Sequence, residues 1–250
     1  MLSSTQVEGL TMCYPHILHH GAITGMTGSC HQLRMDAQHS LLVDCGLFQD
    51  AEISPEVGVW IDSLAIDFSL TGIKALVVPH VYIDHLVRIP RLLVAGLKGL
   101  ILCSEPSAKL LSFVIQDVFK LGFSRDQQQV EHYLELFERC IIALPYGTWF
   151  TFADIALFNP AIRLPRVRHI LGYACAEIER TYTLSGLGKR MVFSADLGTY
   201  LLFLLALKRP ECADILIIEN TYKEGLNNIM QRAFLRPDGL VFKWVDGNEH

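Results

Sequence analysis

Val77-Val78-Pro79-His80-Val81-Tyr82-Ile83-Asp84-His85 is the stretch on which the fold turns. It opens as a buried strand and then breaks at a proline. A histidine, an aromatic residue, an aspartate and a second histidine follow within six positions. A loop at the carboxyl end of a strand is where binding and catalytic groups tend to be placed. Two imidazoles and a carboxylate so close together suit a zinc-type site, because Zn²⁺ takes nitrogen and oxygen ligands. The spacing alone leaves ordinary surface histidines as the other reading.

Around this stretch the chain alternates strand and helix. Ser40–Asp44, Lys74–Val78 and Leu100–Cys103 are short apolar runs that end in polar or turn residues. Ser104 is a helix cap, with Glu105 and Pro106 in the first turn. The helix it starts runs to Leu121, with Leu110, Leu111, Val114, Val118 and Leu121 on one face and Gly122 as a stop. Asp126 caps a second helix to about Arg139, striped by Val130, Tyr133, Leu134 and Phe137. Leu86 to Ala95 is a weaker helix, since Pro90 lies inside it. Further on, Ala174–Thr183 and Arg190–Ser194 flank Ser185-Gly186-Leu187-Gly188 and predict a β-hairpin. Asp214–Ile218 is another buried strand. After Gly225 a short helix around Asn228–Phe234, a turn at Pro237-Asp238-Gly239 and a strand at Leu240–Val245 are expected. The order of elements predicts an α/β fold with layered sheets rather than one doubly wound parallel sheet.

Composition sets outer bounds. The 250 residues are 51% hydrophobic and 19% charged, which excludes a disordered chain and allows a full core. A net charge of −5 without any long Lys/Arg block excludes a protein that coats nucleic acid by charge alone. The apolar run Leu201–Leu207 is far shorter than the roughly 20 residues needed to span a bilayer, so no membrane partner is expected. No basic segment followed by an apolar run stands at the N-terminus, so no secretion signal is expected. The seven cysteines Cys13, Cys30, Cys45, Cys103, Cys140, Cys175 and Cys212 include no CxxC pair. They read as buried free thiols of a reducing, cytoplasmic compartment.

The stretch His80–His85 is similar to the HxHxDH signature of the metallo-β-lactamase superfamily. Five other segments resemble motifs of that superfamily in the same order. Gly25-Met26-Thr27-Gly28-Ser29-Cys30 and Leu41-Leu42-Val43-Asp44-Cys45-Gly46-Leu47-Phe48-Gln49 resemble its opening hairpin and Asp-Cys-Gly motif. Arg168-His169-Ile170-Leu171-Gly172-Tyr173-Ala174 is similar to GHILGSA, and Phe193-Ser194-Ala195-Asp196-Leu197-Gly198 to FSGDLG. Ile218-Glu219-Asn220-Thr221-Tyr222 is similar to the ESTYG segment. The last three motifs resemble those of the β-CASP branch, which holds RNA-processing endonucleases and exonucleases.

The resemblance implies a four-layer αβ/βα sandwich, here incomplete. Residues 1–224 would be the N-terminal portion of the metallo-β-lactamase-like domain. Residues 225–250 would be the segment where the family continues toward its cap domain, before the chain returns with a further histidine ligand. It implies a hydrolase that cleaves RNA phosphodiesters with a metal-activated hydroxide. The ions implied are Zn²⁺, or Mn²⁺, one or two per site. The implied ligands are His80, Asp84, His85, His169 and Asp196, with Asp196 bridging. Asp84 would also orient the attacking water. Asp44 and Glu219 would hold ligands and loops in place without touching the metal.

The sequence also departs from the pattern. Tyr82 stands where a histidine ligand is expected, and a phenol with a pKa near 10 is a poor neutral ligand. Arg168 and Ala195 replace glycines and Tyr173 replaces a serine, each adding bulk beside the metal loops. Pro79 removes a backbone donor just before His80. Leu201–Leu207 lies where a proline-containing loop is usual; it reads first as a segment that packs locally, and second as one that binds a protein partner or drives self-association. His16, His19, His20, His31, His39 and His132 match no ligand pattern and read as ordinary surface or hairpin residues. Two functions follow as expectations: a metal-dependent ribonuclease with weakened activity, or a non-catalytic relative that keeps the fold as a binding module or a decaying gene product. A small-ester hydrolase of the same superfamily is disfavoured by the β-CASP-like motifs.

Overall fold

The computed structural model describes residues 15–20, 28–46, 65–79, 81–122, 126–145, 150–151, 158–163, 175–182, 189–194, 213–218 and 235–243. They form two six-stranded sheets. The first holds β1 (His16–His19), β2 (His31–Arg34), β3 (Ser40–Val43), β4 (Ile73–Val78), β5 (Leu100–Ser104) and β6 (Ile141–Leu144), in chain order across the sheet. β1, β2 and β3 are an antiparallel meander, and β3 to β6 are parallel. Parallel neighbours need crossovers, and helices supply them. α1 (Ile83–Leu86) and α2 (Ile89–Val94) lie between β4 and β5. α3 (Glu105–Gly122) and α4 (Gln127–Cys140) lie between β5 and β6.

The second sheet holds β7 (Phe150–Thr151), β8 (Phe158–Arg163), β9 (Cys175–Tyr182), β10 (Lys189–Ser194), β11 (Ala213–Ile218) and β12 (Leu235–Lys243). Its order is β12-β11-β10-β9-β8-β7. β10, β11 and β12 run parallel, while β7 to β10 are antiparallel. β9 and β10 are the expected hairpin; its Gly-rich turn, 183–188, lies outside the described residues.

Successive side chains of a strand point to opposite faces, and the central strands of the first sheet are buried on both. Leu41 and Val43 of β3, Ala75 and Val77 of β4 and Leu102 of β5 face the second sheet. There they meet Met191 and Phe193 of β10 and Ile217 of β11. The alternate residues Leu42, Leu76, Val78, Ile101 and Cys103 face the helices and pack with Leu86, Ile89, Leu92, Leu111, Ile115 and Phe137. The described residues therefore make a helix layer, a sheet and a second sheet, three of the four layers expected of the α/β sandwich. No helix among them is long and apolar enough to cross a membrane.

Local chemistry sets the helix ends. Ser104 Oγ accepts the backbone N–H of Ser107 at 3.2 Å, and the Asp126 carboxylate accepts that of Gln128 at 3.0 Å. Pro90 does not kink one helix but separates two: it occupies the first turn of α2, where its missing N–H has no helical partner to lose. The buried stripe of α3 differs from the expected one. Leu110 is exposed, while Ile115 and Phe119 are buried beside Leu111 and Val118. The face has rotated toward α2 and α4, which only the packing partners decide.

The end of the chain differs as well. Pro237-Asp238-Gly239, expected as a turn before a strand at Leu240–Val245, lies inside β12. From Ala213↔Leu235 to Ile215↔Leu240, β12 advances five residues while β11 advances two. The three extra residues are a bulge in which Pro237 forfeits no ladder hydrogen bond. The helix expected around Asn228–Phe234 lies outside the described residues.

Phe137 is fully buried, whereas Phe113 on α3 is 69% exposed. Phe137→Ala should cost about 3–5 kcal/mol in urea unfolding, and Phe113→Ala should leave the midpoint nearly unchanged.

Candidate metal centre

The parallel pairing of β3 and β4, with Val43 opposite Val77, brings Asp44 and the loop after Val78 to one edge of the first sheet. β2 runs the other way and sets His31 opposite Val43; β1 then sets His19 opposite His31. The facing sheet reaches the same edge. The rings of Phe193 and His31 lie 5.8 Å apart, and β10 and β11 end level at Ser194 and Ile218.

Asp44 organises this edge. It has φ = 60°, the left-handed region that aspartate tolerates better than most residues. Its N–H still bonds Val77 O at 3.0 Å, but the chain then turns across the sheet end. Cys45 N–H donates to His85 O at 2.7 Å, Gly46 N–H to Ser29 O at 2.8 Å, and Arg88 N–H to Cys45 O at 3.0 Å. Gly46 has no room for a side chain: a Cβ there would stand 1.4 Å from Asp84 O. The glycine lets the backbone of residues 44–46 lie directly against Asp84 and His85.

Side chains complete the link. The His85 ring is fully buried, and its Nδ1–H donates to Asp44 Oδ2 at 2.9 Å. Ser29 Oγ–H donates to the same oxygen at 2.9 Å, and Ser29 Oγ lies 3.2 Å from His31 Nε2. A carboxylate on Nδ1 leaves Nε2 of His85 as the nitrogen able to bind a metal, which is how metal-ligating histidines are usually held. Nε2 lies 3.4 Å from Asp84 Oδ2. Two donors on one tetrahedral ion with bonds of 2.0–2.1 Å are separated by about 3.3 Å. The Asp84–His85 separation is therefore close to that of two ligands on one ion.

The other expected residues divide into two groups. Tyr82 precedes α1 in extended conformation and is 37% exposed, while His85 three residues on is buried. His80, His169, Asp196 and Glu219, and the run Leu201–Leu207, lie outside the described residues. Among the described residues no three His, Cys, Asp or Glu side chains converge as a metal cage.

Three histidines read as ordinary surface or hairpin residues belong to this edge. His31 is buried, its Nδ1 2.7 Å from Nδ1 of the half-buried His19. His20 stacks on Phe68 at 3.8 Å and pairs its Nε2 with Gln32 Oε1 at 2.8 Å. Burial holds the pKa of His31 well below the usual histidine value, with His19, His85 and His20 adding to the shift. Burial also lowers His19 and His20. The only signal in the sequence was position: His31 directly follows Gly28-Ser29-Cys30 of the opening motif. Among the described residues Cys30, Cys45, Cys103 and Cys140 are free thiols, the first three buried and Cys140 half-buried. Burial raises the Cys30 thiol, and the neighbouring Cys45 raises it further.

Two outcomes follow from this geometry. Gly46→Ala should push Asp84 and His85 off the Asp44 segment and cost about 1–3 kcal/mol or more in unfolding free energy. The histidines act through pH. Their folded pKa values lie below the unfolded value near 6.5, so below that pH the unfolded chain takes up protons that the native one refuses. Stability should fall as pH drops from about 6.5, by up to about 1.4 kcal/mol per pH unit for the buried His31, with solvent screening leaving His19 and His20 a smaller share. Urea midpoints at pH 7.5 and 5.5 should show the loss, and His31→Gln should reduce it.

No protein-family profile matches the chain. Individual relatives do. Ribonuclease TTHA0252 of Thermus thermophilus is 27% identical over 210 residues, covering 81% of this chain and 42% of that protein. Transcription termination factor FttA of Cenarchaeum symbiosum is 28% identical over 217 residues, covering 84% and 32%. FttA of Methanococcus maripaludis is 32% identical over 144 residues, covering 54% and 21%. Among solved structures, the Rm3 metallo-β-lactamase superposes with a TM-score of 0.45 at 16% identity, over 86% of this chain and 82% of that one. The chain spans less than half the length of these sequence relatives. In sequence the chain is similar to these proteins, and its motifs resemble those of the β-CASP branch of the metallo-β-lactamase superfamily.

Proposed function

We propose that the chain carries the metal-binding part of a hydrolase that cuts RNA phosphodiesters, with activity weakened at one of two metal positions. One observation carries the reading. The buried Asp44–His85 bond leaves His85 Nε2 beside Asp84 Oδ2 at the spacing of two ligands on one ion. The relatives are named a ribonuclease and a transcription termination factor, which favours RNA as substrate.

Asp84 and His85 would hold one ion, with Asp196 shared. His80 and His169 would flank the other, where Tyr82 replaces a ligand. The ion we infer is Zn²⁺, with Mn²⁺ as the alternative; when bound it supplies an activated hydroxide and neutralises charge on the phosphoryl oxygens. Asp84, with 29% of its side chain exposed, would both bind the ion and accept a hydrogen bond from the attacking water. Asp44 keeps His85 in the metal-binding tautomer, and Glu219 would steady the neighbouring loop. Leu201–Leu207 is the segment through which we place a protein partner or self-association. The free thiols favour a reducing, cytoplasmic setting.

The exposed Tyr82 favours a second reading, a non-catalytic relative that binds without cutting. Metal content and hydrolysis of bis(p-nitrophenyl) phosphate separate the two. The wild type should hold about one zinc per chain and turn over slowly. Tyr82→His should raise occupancy toward two and the rate by roughly tenfold or more, since a missing ligand costs affinity at least on the scale of an outer-shell partner. Failure of both proteins to bind zinc or manganese would remove the hydrolase reading.

A further inference from the structure

We propose that His31 is a positioning residue of the metal centre: through Ser29 it fixes the Asp44 carboxylate, and so holds His85 by Nδ1 with Nε2 turned toward Asp84. The metal-binding consequence rests on the reading under Proposed function. The order of protons does not, because it comes from the donors and acceptors alone.

An ionised carboxylate only accepts hydrogen bonds. Asp44 Oδ2 therefore takes Nδ1–H of His85 and Oγ–H of Ser29, each at 2.9 Å. Ser29 has one proton and has spent it, so its oxygen must accept from His31 Nε2–H at 3.2 Å. Burial keeps His31 neutral, with its pKa held well below the usual value. A neutral ring with its proton on Nε2 has a lone pair on Nδ1. That lone pair receives Nδ1–H of His19 at 2.7 Å. One carboxylate thus sets the tautomers of three histidines in a row, and the row ends on the nitrogen that faces Asp84.

The chain of bonds runs through the interior. His31, Ser29, Asp44 and His85 are all buried, so water cannot readily replace a lost member. Asp44 Oδ1 is buried with no hydrogen-bond partner among the described residues, so the carboxylate is held through Oδ2. Removing the His31 donor frees the Ser29 hydroxyl to turn. The carboxylate can then rotate, and His85 loses the contact that selects its tautomer. Packing alone would not require this order, since a phenyl ring fills nearly the same space as imidazole.

The test uses the full chain labelled with ¹⁵N-histidine, without metal at pH 7.5. Long-range ¹H–¹⁵N spectra report the tautomer of each ring. The wild type should show His85 with its proton on Nδ1 and His31 with its proton on Nε2. His31→Phe and Ser29→Ala should each convert His85 to a mixture of tautomers and weaken zinc binding about tenfold or more. His31→Gln, whose amide nitrogen can donate from nearly the same point, should restore both readouts. Folded His31→Phe and Ser29→Ala proteins with wild-type His85 spectra and zinc affinity would overturn the proposal. So would a His31 protonated on Nδ1 alone. Absence of zinc binding in the wild type would sink the hydrolase reading, while the metal-free spectra would still decide this one.

Discussion

A carboxylate buried at the end of a strand is the constraint around which this edge of the molecule is built. Asp44 is 2% exposed, and an ionised carboxylate buried without partners is costly enough that it would take up a proton. His85 and Ser29 offset that cost with two donors on one oxygen. The backbone makes the same link, through Cys45 to His85, Gly46 to Ser29 and Arg88 to Cys45. Side chain and main chain therefore join three segments distant in sequence at one point.

The sheets explain why that point is stable. β3 and β4 are buried on both faces, so their alternation divides residues between two cores. A slip of one residue would exchange the two sets and remove Asp44 and the metal loop from their shared edge. Arg88 adds a polar tie beneath the site. It is almost fully buried, and its guanidinium donates to the backbone oxygens of Ala65 and His20 at 3.4 Å each. The loop that carries Asp84 and His85 is thus anchored from below as well as from the side.

Much of this was legible in the residues. Apolar runs ending in polar residues marked β3, β4, β5 and β11 to within a residue, and Ser104 and Asp126 announced α3 and α4 through their capping oxygens. Motif resemblance named Asp44, Asp84 and His85, which the fold brings together at one edge. What sequence could not supply was the outcome of packing. Leu110 and Ile115 differ little in character, and only the position of α2 and α4 decides which is buried. Pro237-Asp238-Gly239 reads as a turn in isolation, yet the neighbouring β11 absorbs it as a bulge. His31 and His19 carry no spacing pattern; they matter because antiparallel register sets them side by side at the end of β3.

The two sheets also divide the chain in time. The first is complete at Leu144, but its inner face waits for Met191, Phe193 and Ile217. About 50 residues separate Leu144 from Met191, roughly 2–10 s of synthesis at 5–20 residues per second. During that interval a newborn chain carries an uncovered apolar sheet whose last strand, Ile141-Ile142-Ala143-Leu144, has no charge to deter pairing. Chaperone demand during translation should therefore concentrate on this window, before the second sheet emerges to cover the first.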